Sequence, residues 1–315
     1  MKKVLITGGN GNLGFLVAER LAAEGVEIVR FDIPPSGREG PGAEVLGDVR
    51  DHALLASTMA DHEPDAIIHL ASLLSGSSEE DLDVSWEINA TASFRLLRLA
   101  QDHALTGPFV FASTVATYGA DLPDPLPGDT EQWPRGIYGA TKVAVERLGW
   151  YFKGKHGLDF RCLRFPLVYS PFAPPSAMTA YPSHAFRAAA EGRPFTFPVS
   201  RHVGMSTLFL EDVVRSICEL AKADKTRLTK PAYNLHSFCA SAEDVERAIK
   251  SRWQGFQCDY APNAAVEAML NAGPNEIDDS DARRDWDWAP EYDFQKSAEA
   301  MFAHFGVSEG GPAES

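Results

Sequence analysis

Two periodicities alternate along the first half of the chain. "KKVLIT" reads as a buried strand, and "NLGFLVAERLAAEG" repeats its apolar positions at helical spacing until Gly25 stops it. "VEIVRFD" predicts a second strand and "AEVLGD" a short third. "DHALLASTMADH" is helical, and "DAIIHLAS" is a fourth strand, almost wholly apolar. A long helix is predicted over about 84–103, then the strand "PFVFAS". Another helix runs from Tyr138 to about His156, and "DFRCLRFPLVY" reads as one further strand. Apolar strands alternating with amphipathic helices predict an α/β fold, a doubly wound parallel sheet covered on both faces.

Beyond Tyr169 the texture changes. "SPFAPPSAMTAYPS" is proline-rich and irregular, and "HAFRAAAEG" is helical. "STLFLEDVVRSICELAKA" reads as a strand end entering a helix, and "PAYNLHS" as another strand. "SAEDVERAIKSRW" opens with a Ser-x-x-Asp capping pattern. The expected division is a first domain over 1–170, to which about 206–240 returns, and a smaller substrate lobe from 171–205 and 241–305. The tail at 306–315 is expected to be disordered. No internal repeat is visible.

Composition narrows the class. Of 315 residues, 44% are hydrophobic and 23% charged, as in ordinary globular chains. No apolar run approaches the roughly 18 residues of a membrane span, and the apolar start is too short for a signal peptide. The net charge of −15 disfavours nucleic acid as a partner. The cysteines at 162, 218, 239 and 258 lack metal-ligand spacing and suit reduced thiols, so a cytoplasmic protein without a metal is expected.

"TGGNGNLG" places Gly8, Gly11 and Gly14 between the first strand and the first helix. There, Gly8 makes the tight turn, Gly11 admits a pyrophosphate to the backbone, and Gly14 lets helix pack on strand. The helix N-terminus then offers free N–H groups to the phosphates. Asp32 ends the second strand 24 residues after Gly8. A carboxylate there accepts both hydroxyls of an adenosine ribose and repels a 2′-phosphate, which favours NAD over NADP. Asp48 in "LGDVR" has two readings: a partner for the adenine amino group, or an acid at a helix N-terminus.

In "IYGATK", Tyr138 and Lys142 stand at i and i+4 and share one helix face. A phenol near pKa 10 is a poor base at neutral pH; a neighbouring ammonium and a cationic nicotinamide would lower it. Thr114, in "FASTVATYG", lies 24 residues upstream at the carboxyl edge of the sheet, where such folds bind ligands. Base, cation and positioning hydroxyl together are what hydride chemistry at a secondary alcohol needs.

"TGGNGNLG", Asp32, "IIHLAS", "FASTVATYG" and "YGATK", in that order, resemble the extended short-chain dehydrogenase/reductase family and its NAD-dependent epimerase/dehydratase group. The resemblance covers nearly the whole chain. It implies a Rossmann-type sheet with a small C-terminal substrate lobe. By it, Tyr138 is the catalytic acid/base, Lys142 its partner and a hold on the nicotinamide ribose, and Thr114 the hydroxyl, with Ser113 the weaker candidate. It also implies NAD contacts at Gly8, Gly11, Asn12, Leu13, Gly14, Asp32, Asp48, Val49, Leu70, Ala71, Ser72, Phe165 and Pro166. Asn89 matches a position that orders active-site waters or helix geometry; an exposed helix asparagine is the plain alternative. Members often pair through the helices at about 84–104 and 138–156, so a homodimer is expected.

Three segments are similar to short-chain L-threonine 3-dehydrogenases: "IDDSDARRDWDWAPEYDF", "HLASLLSGSSEE", and "LRFPLVYSPFAPPSAMTAYPSHAF". They imply substrate contacts at Ser75, Thr179 and Tyr181 beside Thr114 and Tyr138. The third departs from that pattern. Where those enzymes carry Thr-Thr-Asp-Tyr, this chain has Met178-Thr179-Ala180-Tyr181. Without the aspartate an ammonium group loses its acceptor, which brings sugar acids and other hydroxy acids into competition with threonine. A lid without specific contacts is the alternative for this loop. A nucleotide-sugar epimerase is the enzymatic rival, but Met205 stands near the place where an arginine for the diphosphate is expected. A non-catalytic NAD sensor is disfavoured by the intact tyrosine–lysine pair. His69 and Arg164 are expected to be structural, and Trp286, Trp288 and Tyr292 to be packing anchors.

Overall fold

A computed structural model of the chain describes residues 1–33, 37, 39–175 and 177–306. Most of the disordered tail expected at 306–315 lies outside the described residues. In chain order the first half comprises β1 (Lys3–Thr7), α1 (Asn12–Ala23), β2 (Glu27–Asp32), β3 (Ala43–Leu46), α2 (His52–His62) and β4 (Ala66–His69). Two short helices follow, α3 (Ser75–Ser78) and α4 (Leu82–Trp86), and then α5 (Ala92–Asp102), β5 (Phe109–Thr114), α6 (Ile137–His156) and β6 (Phe160–Phe165). The second half comprises β7 (Leu167–Tyr169), α7 (Tyr181–Ala190), β8 (Phe195–Phe197), β9 (Ser206–Phe209), α8 (Leu210–Lys222), β10 (Tyr233–Asn234) and β11 (Phe238–Cys239). The chain then continues with α9 (Ala242–Arg252), β12 (Cys258–Tyr260), α10 (Ala264–Asn271), α11 (Ser280–Trp286) and α12 (Phe294–His304).

Seven strands form one parallel sheet in the order β10-β6-β5-β4-β1-β2-β3. Chain direction across the sheet reverses between β1 and β4, so the crevice at their carboxyl ends is the ligand position of a doubly wound sheet. Val4, Ile6, Ile68 and Val110 face α1 and α8 in one core, while Leu5, Val29, Ile67 and Phe109 face α2, α5 and α6 in another. A third apolar cluster, with Tyr169, Phe186, Phe197, Trp253 and Met301, holds the smaller lobe together.

Three expectations are corrected. "DFRCLRFPLVY" is two strands, because Pro166 has no N–H to continue the ladder. β6 stays in the large sheet, whereas β7 joins β9 and β11 in a separate three-stranded sheet. The long helix is interrupted by a π turn over Glu87–Thr91, between α4 and α5. The segment around α11, expected in the substrate lobe, packs Ala282, Trp286 and Trp288 into the core shared with β1 and α8. Arg215 of buried α8 fixes it there, its guanidinium 4.6 Å over the Trp288 ring. Among the described residues, no helix is long and apolar enough to cross a membrane.

Candidate active site

The glycine loop after β1 folds as its residues require. Gly8 adopts φ +72, and a Cβ there would lie 2.8 Å from Ala71 N. Its N–H donates to the Phe31 carbonyl at 2.9 Å, tying the turn to β2. A Cβ on Gly14 would come 2.1 Å from the Gly8 carbonyl, so α1 approaches the loop as only glycine permits. A Cβ on Gly11 would meet only the Gly8 carbonyl, at 3.3 Å, which leaves its outer side open. Asp32 reaches back to this loop: Oδ2 accepts from Asn10 N at 3.0 Å and Gly11 N at 3.2 Å. The acid expected to read a ribose and the glycine expected to admit a pyrophosphate are thus adjacent. Loop and acid form a cradle that fits a dinucleotide.

Around this cradle the remaining predicted contacts are distributed unevenly. Leu70, Ala71 and Ser72 follow β4 directly opposite Gly8, and Asn12 and Leu13 open α1. Phe165 is in register with Thr114 on the neighbouring strand, and Pro166 follows it. Val49 is buried. Asp48 is not a helix cap, since Asp51 Oδ1 accepts from Leu54 N at 3.0 Å and caps α2. Its carboxylate instead lies 2.6 Å from the Arg50 guanidinium, and that hydrogen bond holds its pKa below the ordinary value. Sequence reading missed Arg30, a buried cation whose Nη1 donates to Asn10 Oδ1 at 2.6 Å and braces the loop from below. No motif marks it.

Helix α6 brings Tyr138 and Lys142 against the end of β5. The approach depends on Gly139, where a Cβ would fall 2.3 Å from the Ala116 carbonyl just beyond Thr114. Lys142 is buried; its Nζ donates to the Ala112 carbonyl at 2.9 Å and lies 5.5 Å from the Tyr138 ring centroid. Burial lowers its pKa to about 8. The same withdrawal from water pushes the Tyr138 phenol up to about 12. Thr114 ends β5 half-buried, and its Oγ1 accepts from Ala116 N at 3.2 Å, capping a 3₁₀ turn over Val115–Thr117.

Ser113 points the other way, donating from Oγ to Glu146 Oε1 at 2.5 Å. Glu146 stands one helical turn after Lys142 and is paired with Arg164 at 2.6 Å, both buried. Arg164 Nη1 donates to the Tyr118 hydroxyl at 2.6 Å, which donates to Asn234 Oδ1 at 2.7 Å. Gln132 Nε2 joins Glu146 Oε2 at 3.0 Å. This network fixes β5, α6, β6 and the loop after Thr114 to one another. Asn89 is buried within the π turn, not exposed. It accepts from Leu73 N at 2.8 Å and donates to Leu73 O at 3.1 Å, bracketing the segment after β4.

The predicted substrate residues divide. Ser75 is exposed at the start of α3, and Thr179 is half-buried in a 3₁₀ turn over Met178–Ala180. Tyr181 is not available to a substrate: it is buried, its ring packs edge-on to Phe197, and its hydroxyl donates to the Val203 carbonyl at 3.1 Å. Between the loop after Thr114 and α10 lies a cavity of about 360 Å³, lined by Asp121, Asp124, Arg135, Asn271 and Asn275 among others.

The NAD dependent epimerase/dehydratase family model matches residues 4–235. Mitochondrial L-threonine 3-dehydrogenase of Sus scrofa is 28% identical over 97% of this chain and 83% of its own length. The solved L-threonine dehydrogenase of Phytophthora infestans superposes with TM-score 0.90, at 32% identity, over 97% of this chain and 99% of that one. The holo form of a GalE-like L-threonine dehydrogenase from Cupriavidus necator superposes with TM-score 0.90, at 29% identity, over 96% of this chain and 99% of that one. By sequence, fold and site, the chain belongs to the NAD-dependent epimerase/dehydratase family.

Proposed function

We propose that this chain is an NAD-dependent dehydrogenase that oxidises the secondary alcohol of a small hydroxy acid, in the manner of the L-threonine 3-dehydrogenases it resembles. The observation that carries the reading is the Tyr138–Lys142 pair, held against the end of β5 beside Thr114. Bound NAD supplies the hydride acceptor. Tyr138 takes the alcohol proton at its phenolic oxygen, and Thr114 Oγ1 orients the reacting hydroxyl. Without ligand the phenol's pKa is raised to about 12, so the pair rests as phenol and ammonium at neutral pH. Lys142 lowers the cost of forming the phenolate by placing its charge beside the ring. Gly8, Gly11, Gly14 and Asp32 hold the dinucleotide in this reading.

Ala180 bears on the substrate. It is buried where the dehydrogenase pattern has aspartate, and it offers no acceptor to an ammonium group. A 3-hydroxy acid or sugar acid without the amine therefore fits as well as threonine. We further propose a homodimer formed through α4, α5 and α6. A cytoplasmic setting suits the free cysteines. The test is NADH formation over threonine, other 3-hydroxy acids, aldonates and uronates. Activity on one of these acids is expected, and Tyr138→Phe should lose about a thousandfold in kcat while keeping NAD affinity. Turnover of a nucleotide sugar with none of the acids would overturn the assignment.

A further inference from the structure

Helix α6 carries both members of the catalytic pair, yet it begins without a cap of its own. Gly136 stands at its N-cap and has no side chain to meet the first free N–H groups. The acceptor comes from 58 residues upstream: Glu79 Oε1 takes a hydrogen bond from Ile137 N at 2.9 Å. Glycine at 136 is what admits it, since a Cβ there would fall 2.7 Å from that oxygen. Glu79 is exposed and ends α3, on the segment that follows β4 and carries Ser75. The segment is itself anchored. Asn89 brackets Leu73, and Ser85 Oγ donates to the Ser78 carbonyl at 2.8 Å. One continuous path therefore runs from Ala71, opposite Gly8, through Ser75 to the first turn of the helix that bears Tyr138.

We propose that Glu79 is a positioning residue, capping the catalytic helix from the substrate-side segment so that Tyr138 and Ser75 keep a fixed spacing. It rests on the assignment of Tyr138 as the acid/base. A carboxylate at the positive end of this 20-residue helix is favourable by charge as well as by hydrogen bond. Tyr138 is the second residue of the turn it closes, so fraying there displaces the phenol directly. Displacements of about 1 Å at a reacting group cost on the order of a hundredfold in rate, whereas a single exposed cap adds little to global stability. The effect of Glu79 falls on turnover.

The experiment compares Glu79→Ala, Glu79→Gln and Glu80→Ala in the full chain with NAD and the best hydroxy acid. It also follows hydrogen exchange in the peptide covering 137–142. Glu79→Ala should lose roughly tenfold in kcat, change NAD affinity less than about twofold, and speed exchange at 137–142 about tenfold. Glu79→Gln retains an acceptor oxygen and should recover kcat to within about threefold of wild type; Glu80→Ala should match wild type. Unchanged exchange in Glu79→Ala, unchanged kcat despite faster exchange, or no rescue by glutamine would each overturn the proposal. Should the wild-type chain oxidise none of the acids, the functional reading has failed separately, and exchange at 137–142 alone decides whether Glu79 caps the helix.

Discussion

His69 lies in β4 beneath the glycine loop, with Nδ1 2.6 Å from Thr7 Oγ1 and Nε2 2.8 Å from Ser93 Oγ. Burial, and then the charge of Lys142, lowers its pKa to about 3. Both hydroxyls and the flat contact with Phe111 suit a neutral ring. The consequence is a pH-dependent stability of definite sign. Between pH 6.5 and about 3 the unfolded chain binds a proton that the folded chain refuses, so stability present above 6.5 is lost as pH falls through that window. At about 1.4 kcal/mol per unit, the loss amounts to several kcal/mol. Denaturant titrations at pH 7 and pH 4 should show a smaller acid-induced decrease in His69→Gln than in wild type. Equal decreases would mean that His69 is protonated in the fold. From the sequence His69 was legible as a structural residue. Its two hydroxyl partners were not, because Thr7 and Ser93 lie 62 and 24 residues away.

At the scale of elements, what periodicity and motif spacing convey is the run of strands and helices and the facing of Tyr138 and Lys142. What they omit is how α6 docks. That depends on Gly139, which sits between the Ala116 carbonyl, 2.3 Å from a would-be Cβ, and Pro134 Cβ, 2.8 Å away. "YGATK" displays the glycine, but only the contact with a residue 23 positions upstream gives it a purpose. The Glu146–Arg164–Tyr118–Asn234 network was likewise legible only as a structural role expected of Arg164, because its members come from four separate elements. The break at Pro166 could have been read from proline alone. Gly139→Ala forces α6 away from the 3₁₀ turn after Thr114, and a drop of about a hundredfold in kcat is expected. Gly154 on the same helix is the control. A Cβ there meets nothing of the chain within 4 Å, so Gly154→Ala should raise stability by about 0.5–1 kcal/mol and change kcat far less than Gly139→Ala. Paired steady-state kinetics and thermal unfolding separate the two, and equal kinetics in both variants would remove Gly139 from its docking role.

For the whole molecule, the covering of the outer helices is decisive. α5 and α6 pack side by side, and Phe94 meets Phe152 between them at 6.2 Å. Large apolar groups stand in water at the end of α4 and on α6: Trp86 at 45% exposure, Trp150 at 45% and Tyr151 at 54%. A chain of charge −15 has no need of three such exposed side chains on these helices, and large exposed apolar groups of this kind mark interaction surfaces. A second copy related by a two-fold axis would present the same two helices and cover them as a four-helix arrangement, an isologous contact. The helix that would form this interface is also the one that holds Tyr138 and Lys142, so pairing would stiffen the catalytic helix along its outer face. Trp150→Glu places a carboxylate at the centre of such a contact, where an unpaired buried charge is costly. Light scattering at micromolar concentration should find wild type at twice the chain mass and Trp150→Glu at the chain mass, with kcat reduced severalfold in the monomer. A wild-type chain that runs as a monomer with full activity would assign these exposed rings another purpose and leave α6 to be held by Gly139, Glu146 and Glu79 alone.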